Sequence, residues 1–109
     1  MITIDDFKNV ELRIGIIIKA EAFQEADTPA YKLEIDFGGF GIRKSSAQIT
    51  DHYTADELVN KQVIAVVNFA PMKIASFTSE VLVLGAEGKD GGIVLLELDK
   101  PMQNGTKIS

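Results

Sequence analysis

A chain of 109 residues, 46% hydrophobic and 25% charged, has the composition of one soluble globular domain over residues 1–109, long enough to bury a single core. Its 11 basic and 16 acidic residues leave a net charge of −5, which repels a phosphate backbone unless the cations gather on one face. The absence of cysteine excludes a disulfide framework, a thiolate metal site and a cysteine nucleophile, while no apolar run nears the ~18 residues that span a bilayer.

Thr3 or Asp5 can cap a single helical turn over Asp6–Asn9. Glu11–Phe23 then reads as a long strand rich in β-branched residues, with Gly15 marking a bend or bulge. After a polar loop from Gln24 to Pro29, Tyr31–Phe37 alternates apolar and charged residues as a strand with one wet face does. Gly38–Gly41 supplies a hairpin and Ile42–Ile49 the returning strand. Thr54-Ala55-Asp56-Glu57 has the spacing of a capping box, which predicts a short helix leading into Leu58. Val63–Asn68 suits a strand covered on both faces, and Pro71, lacking an N–H for a ladder, sends the chain off the sheet into a polar loop. Val81–Leu84 and Ile93–Glu97 supply further strands, Gly85–Gly88 reads as a hairpin turn, and Pro101 with Asn104-Gly105 ends the chain in turns. The pattern predicts an all-β fold: a five-stranded Greek-key barrel of the OB type, with short helices at the N-terminus and between strands 3 and 4.

Groups that carry chemistry are sparse. His52 has no second histidine to complete a metal site, and Asp5, Asp6, Asp51, Asp56 and Glu57 stand at turns or helix starts, where carboxylates accept backbone hydrogen bonds. Ser45-Ser46 has no base beside it in sequence. Gly38–Gly41 and Gly85–Gly88 lack the lysine and Ser/Thr of a phosphate loop. The expectation is a binding protein, not an enzyme, needing no cofactor and no metal. The acidic start Met1–Asp6 lacks the basic region of a signal peptide, so the expected location is cytoplasmic, without membrane insertion. Function is expected after Asn68, where Phe69, Ala70, Met72, Ile74 and Phe77 interleave with Lys73, Ser79 and Glu80 as a promiscuous peptide groove would be built. Phe69, Ile74 and Phe77 either pack under the loop or line the groove; Met72 and Lys73, beside Pro71, are expected to be exposed.

Several runs carry a family resemblance: Ile4–Phe7, Leu12–Gly15, Ser45–Ile49, Asn60–Phe69, Ser79–Gly85 and Asn104–Lys107. Over essentially its whole length the chain resembles the tRNA-binding-domain superfamily of barrels, and within it bacterial chaperones associated with protein export. The resemblance implies a homodimer joined through the N-terminal helix and the C-terminal segment, here Phe7 with Pro101, Met102 and Ile108. It implies an ATP-independent chaperone that binds unfolded or presecretory polypeptides and assists export, with the export machinery as a further partner. The client contacts would be Gln48, Asn68, Phe69, Met72, Lys73, Phe77, Ser79 and Glu80. RNA-binding relatives share Asn68, Pro71, Lys73, Ser79 and Glu80, but carry a second lysine in place of Ala70 and a Gly-Met pair in place of Val81-Leu82. Losing a lysine removes a phosphate contact and its counterion release. The alternative reading is a structured-RNA binder that docks tRNA weakly on the same face, which requires Lys32, Arg43, Lys44 and Lys73 to converge.

Overall fold

The chain opens on a helix cap. In the computed structural model, which describes residues 1–109, the Asp6 N–H donates to the Thr3 hydroxyl at 3.1 Å and the Thr3 N–H donates to the Asp6 carboxylate at 2.9 Å. This capping box starts α1 (Ile4–Lys8), so Thr3 is the cap and the helix begins before Asp6. No side chain of α1 is buried, and five residues of isolated helix are marginal in water.

Ten strands follow: β1 (Leu12–Ala22), β2 (Tyr31–Asp36), β3 (Ile42–Ala47), β4 (Gln62–Val66), β5 (Met72–Ile74), β6 (Phe77–Ser79), β7 (Leu82–Val83), β8 (Gly85–Glu87), β9 (Ile93–Leu95) and β10 (Lys107–Ile108). A second helix, α2 (Ala55–Leu58), lies between β3 and β4, and neither helix is long and apolar enough to cross a membrane. Antiparallel pairing runs in the order β3-β2-β1-β4-β7, and β10 joins β1 at Leu12 and Arg13. Three consecutive strands form a meander and β4 returns beside β1, the Greek-key path of an OB-type barrel.

The length of β1 makes the barrel possible, because Leu12–Ile16 pair with β4 and Ile16–Ala22 with β2. Its register slips between Ile17 and Lys19, and this bulge coils the sheet. The bulge expected at Gly15 therefore falls at Ile18. Gly15 keeps its register with Val63 and is needed for a close approach: a Cβ there would stand 2.6 Å from Ile35 and 2.7 Å from the Phe37 ring. Around that contact lies the core, with Ile17, Leu33, Ile35, Phe37, Val63 and Ala65 fully enclosed. The second capping box forms as its spacing implies, with Thr54 and Glu57 exchanging bonds of 2.8 and 3.3 Å. The bonds from Thr54 hold the Glu57 carboxyl below its ordinary 4.5, and α2 delivers Leu58 to the core.

Three segments differ from their sequence reading. Pro71 does end the β4 path, but residues 72–79 fold into a hairpin of their own, pairing Met72 with Ser79, Lys73 with Thr78 and Ile74 with Phe77. Gly85–Glu87 is a strand, paired with β9, and the turn falls at Gly88–Gly92. The C-terminal turns are followed by β10, whose two residues are too few to show a period. The hairpin turns through Ala75, held at φ 52°, a left-handed conformation that costs an L-residue roughly 1 kcal/mol. Ala75→Gly is therefore expected to raise stability by up to about 1 kcal/mol, read as a higher melting temperature.

Candidate binding cleft

The ladder from β3 through β7 leaves one seam, between β3 and residues 79–81, and side chains close it. The Ser46 N–H donates to the Ser79 hydroxyl at 3.0 Å, and the Lys44 N–H donates to the Glu80 carboxylate at 3.0 Å. The Glu80 N–H donates to the Lys44 carbonyl at 2.7 Å, and Ser45, fully buried, donates from Oγ to the Val81 carbonyl at 3.0 Å. Every polar edge group of β3 used here is thereby satisfied without a regular strand partner. The tight sequence Ser79-Glu80-Val81 thus serves the fold as well as any ligand.

Beside this seam, between the β5–β6 hairpin and β7, lies a cleft of about 430 Å³. Phe69, Ala70, Met72, Ile74, Val81 and Leu82 give it an apolar lining, and Ser46, Ser79 and Glu80 supply its polar side. Phe69 and Met72 are 56% and 63% exposed, large apolar side chains with nothing over them. The hairpin sets their direction, since cross-strand partners share a face: Met72, Ile74, Phe77 and Ser79 lie on one side, Lys73 and Thr78 on the other. Phe77 anchors the hairpin. Its ring meets Phe23 edge-on at 5.4 Å, and the Lys32 ammonium lies 5.5 and 6.0 Å from the Phe23 and Phe77 ring centres.

Of the eight residues expected to touch a client, the cleft gathers Phe69, Met72, Ser79 and Glu80. Asn68 sits at its root with its amide engaged: Oδ1 accepts from the Glu11 N–H at 3.0 Å and Nδ2 donates to the Asn9 carbonyl at 2.8 Å, tying α1 and β1 to the end of β4. Phe77 is turned to the Phe23 side, Lys73 lies on the far face of the hairpin, and Gln48 borders a separate hollow with Thr28 and Thr50. Ser46 lines the cleft without any signal in the sequence. Among the residues expected at a dimer contact, Phe7, Pro101 and Met102 are exposed, whereas Ile108 is half-buried beside Leu12 in β10.

Of the four cations that a phosphate track would need, only Lys32 and Lys44 border one hollow, and they share it with Glu21 and Glu34. Lys32 reaches Glu21 at 3.6 Å, and Lys44 stands directly across from Glu34, which also faces Lys19 at 3.8 Å. Arg43 lies on the opposite face of β3 from Lys44, across from buried Ile35, with its guanidinium 4.7 Å from the Phe40 ring centre. Lys73 lies on the face of the hairpin opposite Met72 and Ser79.

Residues 12–107 match the family described as "Putative tRNA binding domain". The chain belongs to this tRNA-binding-domain family. Within the family it is similar to chaperones: the crystal structure of chaperone CsaA from Bacillus anthracis str. Ames superposes with a TM-score of 0.95 at 50% identity, covering 100% of this chain and 99% of that one. The CsaA chaperone protein from Picrophilus torridus superposes at 0.94 and 54% identity over 100% of both chains. Among curated sequences, the methionine–tRNA ligase of Bacillus subtilis (strain 168) is 38% identical over 107 residues, 98% of this chain. The chain spans only 16% of that ligase's length, so the shared part is the binding-domain barrel.

Proposed function

We propose that this tRNA-binding-domain barrel is an ATP-independent chaperone that captures unfolded or presecretory polypeptides in the cleft beside the β5–β6 hairpin. The observation that carries the reading is the open apolar cleft with Phe69 and Met72 uncovered at its mouth. The full-length similarity to CsaA chaperones supports it. Each client side chain buried there contributes about 1.5–3 kcal/mol before ordering costs, so even several such contacts leave weak, at best micromolar-type binding that releases without an energy source. Backbone groups of the client would meet Ser46 and the outward sides of Ser79 and Glu80. On this reading the protein acts in the cytoplasm, hands clients to the export machinery, and has no catalytic step.

The second reading, tRNA binding, is favoured by the family match and by the methionine–tRNA ligase similarity. It is disfavoured by the pairing of Lys32 and Lys44 with glutamates and by a net charge of −5. A paired titration with an unfolded presecretory polypeptide and with bulk tRNA, each at two salt concentrations, separates the two. Micromolar polypeptide binding with little salt dependence is expected. Tight tRNA binding that collapses at higher salt would reverse the ranking. In the same assay Met72→Asp should weaken polypeptide capture at least about tenfold, because a carboxylate in the cleft loses hydration without gaining a partner. Its melting should shift by less than about 0.5 kcal/mol, as befits an exposed position.

The reading includes a homodimer. Ile2, Ile4, Phe7 and Val10 are all exposed along α1 and its flanks, and Met102 is exposed at the other end of the chain, an apolar surface unusual for so short a segment. Sedimentation at micromolar concentration is expected to give twice the 11.9 kDa chain mass. A monomer would remove Phe7, Pro101, Met102 and Ile108 as interface residues.

A further inference from the structure

We infer that the end of the barrel where the β2–β3 turn meets residues 103–106 is a binding site for a phosphate-type oxyanion. The site is built around Phe40. The Arg13 and Arg43 guanidinium groups lie 4.8 and 4.7 Å from the centre of its ring, so one aromatic side chain carries two cations. Register puts both arginines on the core-facing side of their strands, Arg13 across from fully buried Ala65 and Arg43 across from fully buried Ile35. Charges turned inward need partners, because a guanidinium drawn out of water without a counter-ion is costly.

Only one carboxylate answers them. Glu11 accepts from Arg13 Nε at 2.7 Å, while Arg13 Nη1 donates to the Gly105 carbonyl at 2.7 Å. Arg43 Nη2 donates to the neutral Phe40 carbonyl at 3.0 Å and has no carboxylate within ion-pair distance. Asp36, the other acid at this end, accepts from the Gly38 N–H at 2.8 Å. Lys107 adds a third cation directly across the ladder from Arg13, a like-charge pair that a sheet ordinarily avoids. In a chain of net charge −5 this end is therefore locally short of negative charge.

Next to the Arg13 side opens a cavity of about 470 Å³ bordered by Arg13, Gly39, Phe40, Gln103, Asn104 and Thr106, of which Phe40 alone is hydrophobic. Its walls are backbone turns brought together where neither can carry a side chain: a Cβ on Gly38 would strike the Asn104 carbonyl and one on Gly105 the Phe37 carbonyl. Space is open at Gly39, where a Cβ would meet nothing within 4 Å. A guanidinium stacked on a ring keeps its N–H edge in plane and directed outward, the geometry that receives an oxyanion in a bidentate manner. With Arg13 Nη2 uncommitted to any protein acceptor, an oxyanion in this cavity would supply the missing negative charge.

The test is an amide NMR titration of the full chain with inorganic phosphate, pyrophosphate and, separately, sodium chloride at matched ionic strength. Saturable displacement of the Gly39 and Thr106 resonances by phosphate or pyrophosphate, and not by chloride, is expected. Arg13→Gln should weaken it about tenfold, because Arg13 is the guanidinium that borders the cavity. Arg13→Lys keeps the charge and loses the fork, so it should weaken binding less, and it retains the readout if Arg13→Gln folds poorly. A ribose 5-phosphate arm identifies the source. Tighter binding than inorganic phosphate assigns a phosphorylated small molecule whose hydroxyls meet Gln103, Asn104 and Thr106; equal binding assigns the free anion. Displacement that chloride reproduces, or an affinity unchanged in both Arg13 variants, would overturn the site.

Discussion

Phe37→Ala is expected to lower the stability of this chain by about 3–5 kcal/mol, the largest loss of any single side-chain truncation considered for it. Phe37 is completely enclosed, the bulkiest of the fully buried side chains, and its ring packs where Gly15 leaves room on β1. Truncation leaves a cavity whose walls are the strands of the barrel, which cannot collapse without breaking their ladders. Domains of this size have about 5–15 kcal/mol in total, so the variant would melt more than roughly 12 °C lower and unfold at markedly lower denaturant. The complementary change, Gly15→Val, should also be severe, because the added methyls would enter the volume the Phe37 ring occupies. A loss below about 1 kcal/mol for Phe37→Ala would mean the barrel is not closed around this residue.

Ser79→Ala and Glu80→Ala test whether these residues hold the cleft or touch the client. Ser79→Ala leaves the half-buried Ser46 N–H without its acceptor, which should cost about 1–3 kcal/mol. Glu80→Ala should cost less than about 1 kcal/mol, since the exposed Lys44 N–H turns to water. Both substitutions loosen the seam that forms one wall of the cleft. Polypeptide capture should therefore fall for both, and for Ser79→Ala it should fall together with the melting temperature. Capture lost with unchanged melting in both variants would make the side chains direct contacts and leave the seam to the Glu80 N–H and Ser45 bonds.

The departures from sequence expectation have a common cause. The strand Gly85–Glu87 is defined by its pairing with β9 and the hairpin from Met72 to Ser79 is anchored through Phe77, and three-residue strands are too short for a period to register. Phe77 illustrates the point: its neighbours in the chain are Ser76 and Thr78, but its environment is made by Phe23 and Lys32, more than forty residues earlier in the chain. Gly15 was visible as an exception within a strand, yet whether a glycine bends a strand or admits a neighbour depends on what lies opposite.

By itself the sequence determined the succession of the longer strands, the capping box at Thr54–Glu57, a helix start near Thr3, the barrel class, the acidic balance and the stretch after Asn68 that carries the cleft. Each of these rests on local properties: alternation with a period of two, a Thr three residues before an acid, a proline that cannot donate. The tertiary structure alone decided which side chains meet. It separated Gln48, Lys73 and Phe77 from the cleft, committed Ser79 and Glu80 to closing the seam on β3, set glutamates against Lys32 and Lys44, and turned Arg43 onto Phe40. Those outcomes depend on strand register and on the bulge at Ile18, where a slip of one residue exchanges the two faces of a strand, and register is set by the packed barrel as a whole.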